Sequence, residues 1–341
     1  AMLPPGTTYL GSMLGLAENL LSGATTVMDM FWYPEETANA AKKLGMRIST
    51  GGIFFDLPGI GGRCHEDYIS EAHQFSQNHE ADENVIPAIL PHGSYTVSPE
   101  NLTDAKRIAD EYGILFCTHA AETKAEQNDI KTRYNNSVIR HLNEHKLLGE
   151  NVVLAHCVHL DEKEISLIAK SKTNVVLNPM SNLKLGSGIA PVKEMKRAGI
   201  NLTIGTDGAI SGNDLDMWLA MRLTCGLAKG LNIEADALTA EQVLHMATIN
   251  GAKALGKSES IGSLEIGKCA DIIMVDVNNS HSIPLFDPIT HLVFGAGRSD
   301  ITDVFVSGKH IVKNKKITGI DIEKIYDEVR ELAPQIKASL E

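Results

Sequence analysis

Three short apolar runs end on side chains that can bind a metal or move a proton. Ile200-Asn201-Leu202-Thr203-Ile204 leads into Gly205-Thr206-Asp207-Gly208, Ile114-Leu115-Phe116-Cys117-Thr118 into His119-Ala120-Ala121-Glu122, and Val152-Val153-Leu154-Ala155 into His156. A neutral imidazole is a good ligand for zinc or iron, and a carboxylate beside it can shuttle protons for a metal-bound water. His119 and Glu122 are three residues apart, so both face one cavity if the chain turns helically there. Each motif alone also reads as plain structure: a hydrogen-bonded histidine with a solvated glutamate, or an aspartate capping a turn. Their shared position at strand ends favours chemistry, because a barrel of parallel strands carries its active site at the C-terminal ends. A fourth run, Val85–Leu90, leads through Pro91 to His92, which fits either a substrate contact or a buried loop histidine. No lysine ends that strand, so a carboxylated-lysine bridge between two metals has no candidate there, and one metal is the simpler reading. Asn178-Pro179-Met180-Ser181-Asn182 either lines the pocket or closes a loop. His141 and His145 are spaced to grip an ion from one helix, but nothing around them adds a third donor. His159 lies past its strand and opens a helix.

The elements that must position these residues follow a cycle. Apolar residues at three- and four-residue spacing predict a helix over 8–23, and further helices are expected over 34–44, 66–77, 99–112, 161–170 and 191–198. Ser98 is placed to cap the fourth of these. Between them lie strands at 24–30, 46–52, 85–90, 114–118, 152–155, 174–177 and 201–205, apolar throughout rather than alternating. Such strands, separated by helices, predict a parallel sheet covered by helices or closed into a barrel. No GxGxxG stands at a strand-to-helix junction, which removes the main signal of a dinucleotide-binding sheet. After Gly208 the chain reads as helical to about 228, and again over 239–255. From Gly262 it is turn-rich, with short strands at 270–275 and 304–312, the second carrying a Ser307-Gly308 turn. The expected organisation is a barrel over 1–261, a small β module over 262–318 and a terminal helix within 319–341.

Composition bounds the function class. The chain has 341 residues, 43% hydrophobic and 22% charged, which is ordinary for a globular domain. A net charge of −12 argues against nucleic acid or an anionic membrane as partner. No apolar run approaches the roughly 18 residues that span a bilayer, and no signal peptide is evident. Five cysteines without paired spacing argue against a disulfide framework and fit a reducing cytoplasm.

Taken together, Thr118-His119-Ala120-Ala121-Glu122-Thr123, Leu154-Ala155-His156-Cys157-Val158-His159-Leu160, Asn178-Pro179-Met180-Ser181-Asn182-Leu183-Lys184-Leu185 and Gly205-Thr206-Asp207-Gly208 resemble the amidohydrolase superfamily. The branch they are most similar to is the methylthioadenosine/S-adenosylhomocysteine deaminases and the related triazine chlorohydrolases. Asn213-Asp214-Leu215-Asp216-Met217 and Gly267-Lys268-Cys269-Ala270-Asp271 extend the resemblance, which runs from about residue 8 to 315. It implies a (β/α)8 TIM-type barrel with a partial β-sandwich. It implies one divalent metal, zinc first and iron second, held by an HxH on the first strand together with His119 and Asp207. It implies that Glu122 carries a proton from the metal-bound water to the ring, that His156 orients that water or the developing oxyanion, that Asp207 accepts a proton as the metal-bound hydroxide attacks, and that His92 and Glu122 contact the substrate. The implied reaction is hydrolytic deamination of an adenine nucleoside with release of ammonia. Glu122 favours a deaminase, since ring protonation needs an acid there. An aminohydrolase or chlorohydrolase acting on a purine, pyrimidine or triazine ring is the alternative.

The sequence departs from that pattern in one respect: it contains no HxH. The expectation is therefore a barrel whose first strand, two metal ligands and N-terminal half-sandwich are absent from this chain. A metal-poor, inactive barrel is a further reading. Open sheet edges beside such a gap favour a homo-oligomer. The stretch between Phe54 and Arg63 is expected to shape the substrate mouth.

Overall fold

A computed structural model describes residues 4–56 and 62–338. Its centre is a seven-stranded, all-parallel sheet of β1 (Thr26–Met28), β2 (Arg47–Phe54), β3 (Val85–Pro91), β4 (Leu115–Ala120), β5 (Val152–His156), β6 (Asn174–Leu177) and β7 (Leu202–Ile204), in sequential order. All seven expected strands are present. Among the described residues β1 bonds only to β2 and β7 only to β6, so the curled sheet stays open between its two ends.

The near-continuous apolar strands have a direct cause: both faces are buried. One face of β3 to β5 carries Ile86, Ala88, Leu90, Leu115, Cys117 and Val153, which cluster inside the curl with Ala254. The alternate residues, among them Val85, Ile89, Phe116, Val152 and Leu154, pack outward against the helices. Fully burying a side chain of this size contributes about 1.5–3 kcal/mol. The helices Pro34–Leu44 and Pro99–Tyr112 have the expected bounds. Ser98 caps the second, accepting from the Asn101 N–H at 3.4 Å. Asp161 and Glu164 form a reciprocal capping box for Glu162–Lys170.

Four helical details differ from expectation. Asn178–Asn182 is not a simple turn, because Pro179–Lys184 is helical. The stretch after Gly208 is two helices, Ala209–Gly212 and Met217–Asn232. Asn213 in the left-handed region (φ 68°) ends the first, and Asp216 caps the second. The 239–255 stretch breaks at Thr248 into Ala240–Met246 and Ile249–Ala254. A helix at Pro288–Phe294, capped by Asp287, falls between the strands of the C-terminal region.

That region holds a second, antiparallel sheet of β8 (Ile272–Val275), β9 (Ile301–Val306), β10 (Lys309–Lys313) and β11 (Lys316–Ile317), in the order β11-β10-β9-β8. Ser307 (φ 48°) and Gly308 (φ 78°) make the expected two-residue turn between β9 and β10. Asn314 and Lys315, also left-handed, join β10 to β11. Arg47 at the start of β2 ties the two sheets together, pairing with Asp271 and donating to Ser307 Oγ at 2.6 Å. The helix Ile322–Ala338 closes the described chain. Part of the expected mouth loop, residues 57–61, lies outside the described residues.

Candidate functional site

The strands β3, β4 and β5 and the turn after β7 bring His92, His119, Glu122, His156 and Asp207 to one rim, the C-terminal end of the parallel sheet. The pairing of β3 with β4 runs on into this rim, where Gly93 bridges to His119. The His92 and His119 rings lie 4.9 Å apart, and the His119 and His156 rings stack at 5.4 Å. His156 Nε2 stands 3.8 Å from Glu122 Oε2.

His119 is preset as a neutral ring with one free lone pair. Its Nδ1 donates to the His92 carbonyl oxygen at 2.5 Å. A carbonyl only accepts, so Nδ1 carries the proton and Nε2 keeps its lone pair. Burial, reinforced by nearby His156, holds the ring's pKa below the usual histidine range. His92 is pushed down to about 4, by burial first and His119 second. Its Nδ1 contacts Thr96 Oγ1 at 2.9 Å.

The other groups are gripped by side chains from a neighbouring segment. Ser181 donates to Asp207 Oδ2 at 2.6 Å, and the Gly208 N–H donates to Oδ1 at 2.6 Å. Asn182 Oδ1 pairs with His156 Nδ1 at 2.8 Å. Ser187 donates to Glu122 Oε1 at 3.2 Å. At Gly205, whose N–H bonds the Leu177 carbonyl at 2.8 Å, a Cβ would meet Asn178 Oδ1 at 2.7 Å and Val176 Cγ2 at 3.1 Å.

The turn after β4 is fixed from within. Buried Glu126 accepts from the Glu122 N–H at 2.7 Å and the Ala121 N–H at 3.2 Å. Burial raises the Glu126 carboxyl to about 7. Ala121, His156, Cys157 and Asp207 all lie in the left-handed region. Main-chain bonds hold the first three of these: Cys157 N–H to Ala120 O at 3.0 Å and to Ala155 O at 3.2 Å, and Val158 and His159 N–H to Ala121 O at 2.9 Å. Non-glycine residues persist there only when their surroundings over-determine them, as active sites often do.

A cavity of about 440 Å3 opens beside Glu122, bordered by Tyr95, Thr123, Glu126 and Asp129. That is the size of a small-molecule pocket. Burial raises the Tyr95 hydroxyl above its usual pKa, with Glu122 adding to the effect, so it stays a neutral donor. Phe31, Trp32 and Phe55 form an aromatic file ending on His92, with Phe55 and His92 5.2 Å apart. Such faces suit a flat heterocycle.

Sequence reasoning singled out the five rim residues but missed those that hold them. The polar run at 178–182 offers the pocket as one of its two readings. Ser187 and the aromatic file carry no local signal, whereas Thr123 and Glu126 have the T-x-x-E spacing of a helix start, with Thr123 accepting from the Glu126 N–H at 3.0 Å. His159 faces the same loop, its Nε2 meeting the Ser187 carbonyl at 2.9 Å. His141 is buried and stacks on Tyr134, away from the rim. Cys157 directly follows β5 and is buried.

His119 and Asp207 suit a divalent ion in type but fall short in number, because tetrahedral zinc takes three or more protein donors. Among the described residues no three His, Cys, Asp or Glu side chains converge as a donor set. No described helix is long and apolar enough to cross a membrane.

Residues 1–311 match the model of a family described as the amidohydrolase family. Over 337 residues the chain is 36% identical to the 5-methylthioadenosine/S-adenosylhomocysteine deaminase of Syntrophobacter fumaroxidans, covering 99% of this chain and 77% of that protein. It is 36% identical over 330 residues to the 5'-deoxyadenosine deaminase of Methanopyrus kandleri, covering 96% and 76%. The solved structure of an adenosine deaminase from Xanthomonas campestris with bound zinc superposes with a TM-score of 0.96 at 32% identity, covering 98% of this chain and 76% of that one.

Proposed function

Since this chain belongs to the amidohydrolase family, we propose that it is a metal-dependent hydrolytic deaminase of adenine nucleosides of the 5'-methylthioadenosine, S-adenosylhomocysteine or adenosine type. Water adds to the amino-bearing ring carbon, the C–N bond breaks, and ammonia leaves with the proton it needs. The observation that carries this reading is the Glu122 carboxyl beside His156 at the mouth of a heterocycle-sized cavity. Glu122 is placed to protonate a ring nitrogen, and Ser187 leaves it one free oxygen for that task. His156 orients the attacking water, and Asp207 takes the water's proton. His92, low in pKa and backed by the aromatic file, contacts the base as a neutral ring.

Zinc is the ion we propose, with His119 and Asp207 as its donors from this chain; when bound it supplies an activated water. The names of the relatives support the substrate class, and the zinc-bound neighbour supports the metal. Self-association and a cytoplasmic location are also proposed. The open ends of the parallel sheet support the first, and five free cysteines support the second. Sedimentation at two concentrations tests the association.

The deciding experiment is ammonia release by zinc-supplemented protein from 5'-methylthioadenosine, S-adenosylhomocysteine, 5'-deoxyadenosine and adenosine, with zinc measured per chain. Turnover of at least one nucleoside is expected. Measurable zinc with no ammonia from any of the four would falsify the reading.

A further inference from the structure

Three site groups at the ends of three different strands are held by one short stretch of chain. Beyond β6 the residues 178–188 form the helix Pro179–Lys184 and a loop. From this stretch Ser181 bonds Asp207, Asn182 bonds His156 and Ser187 bonds Glu122. We infer that residues 178–188 are a single positioning element for the deaminase chemistry, in which Asn182 fixes the ring nitrogen that His156 presents and Ser187 aims the Glu122 carboxyl. The inference rests on the deaminase reading for its kinetics alone.

Burial separates these residues from their neighbours. Ser181, Asn182 and Ser187 are 0%, 3% and 6% exposed, whereas Leu183, Lys184 and Leu185 between them face solvent. An ordinary fold would bury the leucines and expose the polar residues. Here the segment keeps its polar side chains inside and directs each one at a site group. The element is also rigid internally. The Ser187 and Gly188 N–H groups both donate to the Asn182 carbonyl, at 2.8 and 3.4 Å, which fixes Ser187 relative to Asn182. The Ser187 carbonyl is held in turn by His159 Nε2 at 2.9 Å. A shift of the element therefore moves the partners of Glu122 and His156 together.

The Asn182 contact has a specific chemical consequence. Its amide oxygen accepts the Nδ1 proton, so a neutral His156 carries its lone pair on Nε2. Nε2 is the nitrogen that faces Glu122. Remove the amide and the ring is free to take the other tautomer, placing a proton where an acceptor stood. Ser187 acts more simply: its hydroxyl occupies Oε1 of Glu122 and so leaves Oε2 toward His156.

Two measurements test this. The first is the tautomer of His156 in 15N-histidine-labelled protein, read from two-bond proton–nitrogen correlations and assigned by the loss of signals in His156→Gln. Wild type is expected to show the Nδ1–H form, and Asn182→Ala to gain the Nε2–H form. An unchanged tautomer in folded Asn182→Ala overturns the role of Asn182. The second is kinetic. Ser187→Ala is expected to lower kcat about 10- to 100-fold, the scale of a misplaced reacting group. KM should change little, and Ser187→Thr should restore most of the rate. The double variant Asn182→Ala/Ser187→Ala should lose less than the product of the single losses, because the two residues act as one unit. A multiplicative loss, or a change confined to KM, overturns the single element. A wild type that releases no ammonia refutes the deaminase reading separately, and the tautomer spectra still decide the role of Asn182.

Discussion

Left-handed residues other than glycine occur in both sheets, for opposite reasons. In the antiparallel sheet Ser307, Asn314 and Lys315 sit in two-residue hairpin turns, where strand twist demands that conformation. The cause is local, and the residues concerned touch no site. On the rim of the parallel sheet Ala121, His156, Cys157 and Asp207 adopt the same conformation outside any hairpin, His156 at the centre of a three-residue turn closed by the Cys157 N–H on the Ala155 carbonyl at 3.2 Å. There a tertiary cause is added: main-chain bonds between the ends of β4 and β5 and the buried Glu126 carboxyl hold Ala121, His156 and Cys157, and Ser181 holds the Asp207 carboxylate. One sheet uses the conformation to reverse the chain, the other to aim side chains. The rim should therefore be sensitive in function and tolerant in stability, and the C-terminal module the reverse.

The largest expected effect breaks the chemistry alone. Glu122→Gln should lower kcat/KM by roughly 100- to 10,000-fold, the usual worth of a general acid. Its melting curve should overlay the wild type, as ammonia assay and circular dichroism would show. A parallel loss of stability would sink the contrast between the two regions.

Next is the junction. Asp271→Ala leaves the Arg47 guanidinium buried without its carboxylate, since both side chains are under a tenth exposed. Stranding a buried charge costs about 3–5 kcal/mol. Urea titration should show that loss, with kcat per folded molecule retained.

A smaller effect concerns pH. Glu126 titrates near 7 in the folded protein, against about 4.3 in an unfolded chain. Between those values the folded state binds the extra proton, so its stability falls as pH rises through the window and levels off above 7. Glu126→Gln removes this dependence. Denaturation at pH 5 and pH 7.5 should give the variant a smaller difference than wild type, by up to a few kcal/mol.

The finest test compares two strain-relieving changes. Lys315→Gly and Ala121→Gly each remove a left-handed penalty of about 1 kcal/mol. The first should leave activity unchanged. The second should lower kcat, because the freed turn no longer fixes Glu122. Equal activity in both would show that the rim does not depend on its strain.

Much of this was legible in the chain. Seven apolar runs gave seven strands, because strands buried on both faces need no alternation and stand out between amphipathic helices. The five rim residues were legible because each lies within four residues of the end of such a run. Their supports were not. Ser187 reaches Glu122 across 65 positions, and Ser181 reaches Asp207 across 26. No periodicity encodes contacts at such separations. The helix Pro179–Lys184 is a single short turn-and-a-half begun by proline, too brief for a helical period to show. The aromatic file joins Phe31 and Trp32 beyond β1 to Phe55 beyond β2, and only the parallel pairing of those strands makes them neighbours.

The bond that presets His119 ends on the main chain of residue 92 rather than on its side chain. Every amino acid has that carbonyl, so no substitution at position 92 can delete it. The side chain of residue 92 can therefore be exchanged without removing the acceptor that fixes which nitrogen of His119 carries the proton.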